Sequence, residues 1–153
     1  TLNCYDNQLT SLDVSANTAL TNLVCHGNQL TSLDVSANTA LTTLSCYNNQ
    51  LTSLDVSAST VLTDFNCHSN QLTSLDVSAN TALIYLTCYG NQDITDIQSV
   101  AVNSNVASAI ASLITNATAT DGTVTLRNGD EYNSTISDAA TTKGWTVDYV
   151  DAA

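Results

Sequence analysis

The sequence predicts a repeat solenoid, mostly β, with two short parallel-sheet walls and an α-β-α-β cap at its C-terminal end. Three observations predict it. The five cysteines, Cys4, Cys25, Cys46, Cys67 and Cys88, recur at a constant spacing of 21. Leu2, Leu23, Leu44, Phe65 and Leu86 keep step two residues before them, and Asn7, Asn28, Asn49, Asn70 and Asn91 three residues after them. Finally, only 5% of residues are aromatic and none is proline or methionine. That is too little bulk for a broad core, but enough for a thin one of stacked Leu, Val and Ala, which points to a one-dimensional architecture.

The consensus L-x-C-x-x-N-Q-L-T-S-L-D-V-S-A-N-T-A-L-T-x gives complete copies at 2–22, 23–43, 44–64 and 65–85 and a partial copy at 86–97. Residues 1–97 are therefore expected to form the solenoid and 98–153 its cap. In Leu23-Val24-Cys25 the alternation points Leu and Cys inward and Val outward, as in a strand. Leu33-Asp34-Val35 repeats this on the opposite wall. Neither wall buries its apolar side alone, so coils stack at roughly 4.8 Å and share one core. The Asn28-type and Asn38-type columns fall where the chain turns inward, where their amides can bond backbone groups that the turn strands. The Thr, Ser and Ala turns leave no room for a three-turn helix, so the convex side is expected to be strand or extended chain.

Beyond Gln98 the pattern changes. Val106 to Ile114 has helical apolar spacing, Gly122 to Leu126 reads as a strand, Glu131 to Lys143 as a helix stopped by Gly144, and Trp145 to Val150 as a last strand. An open last coil needs such a cover.

The run L-x-x-L-x-C-x-x-N-Q-L, as in Leu20, Leu23, Cys25, Asn28 and Leu30, resembles the leucine-rich-repeat signature, with Cys in the third apolar slot. Leu30, Leu33, Val35, Asn38 and Leu41 repeat the template, so each coil is two nested half-repeats, similar to the short nested class of bacterial surface proteins. The tail resembles caps of bacterial leucine-rich-repeat proteins. The resemblance implies a secreted or cell-surface location and a role in adhesion and recognition. Since Thr1 falls inside a repeat with no cap before it, the chain is read as a fragment of a longer protein.

Charge narrows the partners. Two Lys and Arg against fourteen Asp and Glu give a net charge of −12. Nucleic acid needs clustered cations that are missing here, and an anionic membrane surface would repel the chain. No stretch approaches the roughly 18 apolar residues of a membrane span. A protein or a glycan is the expected ligand.

The chemistry-bearing residues fall in columns. The cysteines lack the close pairing of a zinc knuckle, and parallel Cβ vectors suit disulfides poorly, so they are expected to be buried, reduced packing residues. Tyr5, His26, Tyr47, His68 and Tyr89 form an outward stripe of polar-tipped rings, suited either to recognition or to ring stacking between coils. His26 and His68 lie two coils apart, too far to share an ion. Beside the stripe, Asn22, Thr43, Asp64 and Tyr85, and Val24, Ser45, Asn66 and Thr87, vary from coil to coil, as a ligand-reading face would. Asp64, Asn66 and Tyr85 join the stripe as candidate binding residues.

Asp13, Asp34, Asp55 and Asp76, flanked by serines, are the weak candidates for Ca²⁺, because oxygen ligands suit it but a flat face wraps an ion badly. Solvated, hydrogen-bonded carboxylates are the simpler expectation. The Thr columns (Thr10, Thr31, Thr52, Thr73 and Thr18, Thr39, Thr60, Thr81) raise ice binding, against which the intervening Asp ranks argue. No nucleophile elbow, phosphate loop or metal pair appears, so neither an enzyme nor a cofactor is expected. A structural spacer of a larger surface protein is the alternative to a binding module.

Overall fold

The protein is described here from a computed structural model covering residues 1–91, 93–99, 104–120, 122–127 and 133–150. Each of the first five coils contributes one strand to a parallel sheet: β1 (Leu2–Asn3), β2 (Asn22–Val24), β3 (Thr43–Ser45), β4 (Asp64–Asn66) and, after β5 (Ser74–Asp76) on the other wall, β6 (Tyr85–Thr87). The register repeats without a slip, Leu23 lying beside Leu44, Leu44 beside Phe65 and Phe65 beside Leu86. The strands are short because only three residues per coil alternate cleanly before the chain turns. Backbone bonding continues past them: Cys25 N donates to Ser45 O, Cys46 N to Asn66 O and Cys67 N to Thr87 O, each at 2.9 Å.

The second wall departs from expectation. The segments around Leu12, Leu33 and Leu54 are extended but form no strand. In each, the amide of Ser15, Ser36 or Ser57 is taken by the carboxylate of Asp13, Asp34 or Asp55 two residues earlier, at 2.9, 2.9 and 2.8 Å. The same turn recurs at Asp76 and Ser78 (2.8 Å), and along this wall Asn38 Nδ2 links coils by donating to Val14 O and Asn17 O, as Asn80 Nδ2 does to Val56 O and Ser59 O. The wall knits into a sheet only at β5, which pairs with β7 (Asp96–Ser99) at an offset of 22 residues, as in Thr95 bonding Thr73. β8 (Thr123–Arg127) and β9 (Thr146–Val150) extend that sheet to four parallel strands, ordered β5-β7-β8-β9.

The tail has the expected α-β-α-β order. α1 (Ser104–Asn116) starts two residues before the apolar run, and α2 is described over Asn133–Lys143, so the expected start at Glu131 lies outside the described residues. α2 ends as expected at Gly144: with φ +86°, the glycine lets Trp145 N reach Ala140 O at 2.9 Å and its own N reach Thr141 O at 3.1 Å. The Trp145 ring covers Gly122, where a Cβ would overlap it, and its Nε1 donates to Ala119 O at 3.0 Å. α1 packs against α2 and β6, so the cap closes the last coil of the solenoid.

One continuous apolar core runs through both parts, from Val14 and Leu20 through the leucines and cysteines of the coils to Ile110, Val124, Ile136 and Trp145. Among the described residues no helix is long and apolar enough to cross a membrane.

Candidate ligand-binding face

Alternation along β1–β4 and β6 turns one set of side chains inward and leaves three columns on the outer face. The first holds Asn22, Thr43, Asp64 and Tyr85, and the second Val24, Ser45, Asn66 and Thr87. The third is the Tyr/His stripe, which sits just past the strand ends rather than on the strands.

The stripe is a continuous ring stack. From Tyr5 through His26, Tyr47 and His68 to Tyr89, successive centroids lie 4.9, 4.1, 4.4 and 4.5 Å apart, with interplanar angles of 17, 10, 16 and 9°. The coil spacing sets these separations, since one ring per coil at about 4.8 Å is close to offset-stacking distance. The faces of the inner rings are consumed by their neighbours, so what they turn to solvent is their edges. Tyr5 and Tyr89 end the row and are exposed, whereas His26, Tyr47 and His68 are half-buried. His26 Nδ1 lies 3.8 Å from Asp6 Oδ1, and His68 Nδ1 lies 3.0 Å from Ser69 Oγ. Burial, and secondarily His26, hold the His68 imidazole below its ordinary pKa.

Each ring is followed by a residue with left-handed backbone: Asp6, Gly27, Asn48, Ser69 and Gly90, with φ from 51° to 71°. This column went unread in the sequence, although Asp, Gly, Asn and Gly are the residues that tolerate that region. The turn lets Asp6, Gly27, Asn48 and Ser69 donate their amides to the carbonyls of His26, Tyr47, His68 and Tyr89 in the next coil, at 2.9–3.1 Å. Ring spacing and turn geometry are therefore locked together.

Behind the stripe the asparagines form the expected ladder. Asn49 Nδ2 donates to Cys46 O (3.0 Å) and Tyr47 O (3.3 Å) in its own coil and to Cys25 O (3.1 Å) in the coil before, while its Oδ1 accepts from Leu30 N at 3.0 Å. Asn28 and Asn70 repeat this arrangement one coil to either side.

The varied columns meet in a shallow depression of about 260 Å³, bordered by Thr43, Ser45, Asp64, Asn66, Tyr85 and Thr87, with Leu44 and Phe65 beneath. It gathers three of the candidate residues, Asp64, Asn66 and Tyr85, and leaves the five stripe rings to its side. Tyr85 is the most exposed large apolar side chain described, at 58%.

A family model described as leucine-rich repeats in two copies matches residues 18–59. The chain is also similar to a solved structure described as the functional domain of InlJ from Listeria monocytogenes, which includes a cysteine ladder. Identity is 43%, the TM-score is 0.57, and the match covers 65% of this chain and 24% of that one. The coils are leucine-rich repeats. No curated protein matches the chain.

In this leucine-rich-repeat solenoid the cysteines occupy the inward slot, unbridged. Cys25, Cys46, Cys67 and Cys88 are buried, whereas Cys4, on the first described coil, is only partly so. Burial pushes the thiols of Cys25 and Cys88 up to about 12 and those of Cys46 and Cys67 well above their ordinary value, so the thiolate, the reactive form, is suppressed.

The Asp column lies on the opposite wall from the stripe, as expected. The hydroxyl and then the amide of Ser15, Ser36 and Ser57 hold the carboxyls of Asp13, Asp34 and Asp55 below the ordinary range. Among the described residues no three His, Cys, Asp or Glu side chains converge as a metal site would require.

Proposed function

We propose that this leucine-rich-repeat chain is an extracellular or bacterial cell-surface adhesion and recognition module, and that it binds a protein or glycan through the outer face of its five-stranded sheet. The observation that carries the reading is the contrast between columns. The Asn ladder, the Asp column and the core repeat almost unchanged, whereas the Asn22-to-Tyr85 and Val24-to-Thr87 columns differ at every coil. Packing demands the same residue in every coil, and a packing role gives no reason for the outward columns to vary. Their varied residues border a depression beside a large exposed tyrosine, as small anchoring sites on protein surfaces do. The location and the adhesion role rest on likeness to the Listeria InlJ domain, of which this chain spans 24%.

The test is a binding screen on glycans and purified extracellular proteins, run with the native chain and with an Asp64→Ala, Asn66→Ala, Tyr85→Ala variant. This variant leaves the ring stack intact, which a change at Tyr47 or His68 would not. Loss of a ligand from the folded variant supports the reading, and retention of every ligand refutes it. A spacer role is favoured by the uniformity of the coils themselves. It predicts that adhesion of a longer parent protein depends on coil number and not on these three residues.

A further inference from the structure

Residues 1–99 contain eight aspartates and no lysine or arginine, so any partner of the solenoid meets a surface without fixed positive charge. Within the two varied columns of the sheet face, one residue carries charge: Asp64. It is half-buried, and its Oδ2 accepts from Thr63 Oγ1 at 2.7 Å, which orients the carboxylate. Among the described residues no cation pairs with it. Its register partner on the next strand is Tyr85, whose exposed ring borders the same depression. Paired positions on neighbouring strands lie about 4.8 Å apart. A carboxylate thus stands beside an aromatic ring, with the hydroxyls of Thr43, Ser45 and Thr87 and the amide of Asn66 around them.

We infer that this depression takes a cationic side chain, lysine or arginine, from a basic segment of a protein partner, its charge against Asp64 and its stem along the Tyr85 ring. The inference rests on the recognition reading above and adds the chemistry of the occupant. A ring and a carboxylate that share one cation both gain from it, the first by its quadrupole and the second by a charge-assisted hydrogen bond. The same carboxylate repels acidic glycans and phosphates. A neutral sugar can donate hydroxyl hydrogen bonds to it but brings no opposite charge, so among the ligand classes that the face admits a cation gains most. The net charge of −12 adds long-range attraction for a basic partner.

The test uses the ¹⁵N-labelled 153-residue chain and three probes: a short peptide with two lysines, the same peptide with both lysines acetylated, and chitotriose. The lysine peptide is expected to move amides at 43–45, 64–66 and 85–87, with affinity falling as salt rises. Acetylation of the peptide, or Asp64→Asn in the protein, should weaken binding about tenfold or more. Tyr85→Phe keeps the ring and should bind nearly as well, whereas Tyr85→Leu should not. If chitotriose moves these amides and the lysine peptide does not, the cationic occupant is overturned while the recognition face stands. Shifts centred on Asp13, Asp34 and Asp55, or a lysine-peptide affinity indifferent to Asp64→Asn, overturn it as unspecific charge attraction. If no probe moves these amides, the inference falls, and the recognition reading then stands or falls on its own screen.

Discussion

Replacing Asn49 by alanine probes the ladder that holds the coils in register. Its side chain makes four hydrogen bonds, but the losses are unequal. Cys25 O keeps a bond from Asn28 Nδ2, Cys46 O keeps one from Asn70 Nδ2, and Tyr47 O keeps one from Gly27 N. Leu30 N is the group left without its partner, in a buried position. Stranding one buried amide costs about 1–3 kcal/mol, and the three redundant bonds contribute at most about 1 kcal/mol each. We therefore expect Asn49→Ala to cost about 1–6 kcal/mol in urea unfolding, with the stranded Leu30 amide as its largest single part. Asn7→Ala, at the exposed end, removes only bonds to Cys4 O and Tyr5 O and should cost under about 1 kcal/mol. Asn49→Asp separates the donor from the acceptor. The new carboxylate can still accept from Leu30 N, but it faces three carbonyl oxygens, so at neutral pH it should be worse than alanine and recover partly in acid. Equal costs at positions 7 and 49, or a tolerated Asn49→Asp at neutral pH, would refute the ladder as the source of coil register.

Three further outcomes follow from the same geometry. Ser59 stands where the flanking coils have Asn38 and Asn80, and its hydroxyl makes only a long contact of 3.5 Å to Asn38 O, whereas Asn80 Nδ2 donates at 2.9 Å to both Val56 O and Ser59 O. Ser59→Asn should gain those two bonds but also bury an Oδ1 that has no partner, as at Asn38 and Asn80, so the urea midpoint should shift by less than about 1 kcal/mol at unchanged slope. Thiol titration of the native chain should find Cys4 reactive and the other four slow, with all five reacting after denaturation; rapid native labelling of Cys46 or Cys67 would contradict their burial. The folded pKa of His68 lies below its unfolded value of about 6.5, so folding favours the neutral ring. Its contribution is fully present above pH about 6.5 and is lost as pH falls through the lower folded value. His68→Phe should flatten the pH dependence of the unfolding midpoint in that window, and an unchanged slope would rule His68 out as its source.

Much of this was legible in the sequence because a solenoid contacts itself at a fixed offset. A residue that recurs every 21 positions meets its own copy, so Cys25 over Cys46, Asn28 over Asn49 and the core leucines could be assigned without a structure. The cap also read correctly, since helical spacing, Gly144 and Trp145 carry local signals. The second wall did so only in part: it is a parallel sheet at β5, β7, β8 and β9, but not in the first three coils. Leu33-Asp34-Val35 alternates as a strand does, but alternation reports which side chains are buried and says nothing about whether the neighbouring coil lies in pairing distance. Every complete coil keeps its Asx turn, and the wall gains a ladder where the offset becomes 22 at β5 and β7.

By itself the sequence determined the coil, its period, its inward cysteines and leucines, its inward-turning asparagines and the absence of fixed positive charge from the solenoid. Each of these follows from composition or from contact at constant spacing. Only the tertiary structure showed that the rings of the Tyr/His stripe stack face to face, at separations set by the coil spacing and held by left-handed turns at Asp6, Gly27, Asn48, Ser69 and Gly90. Only the structure, too, placed Asp64 beside Tyr85 in one depression. A sequence gives the order of residues along a strand, but the shape of the surface depends on how far each neighbour projects, and that is set in three dimensions.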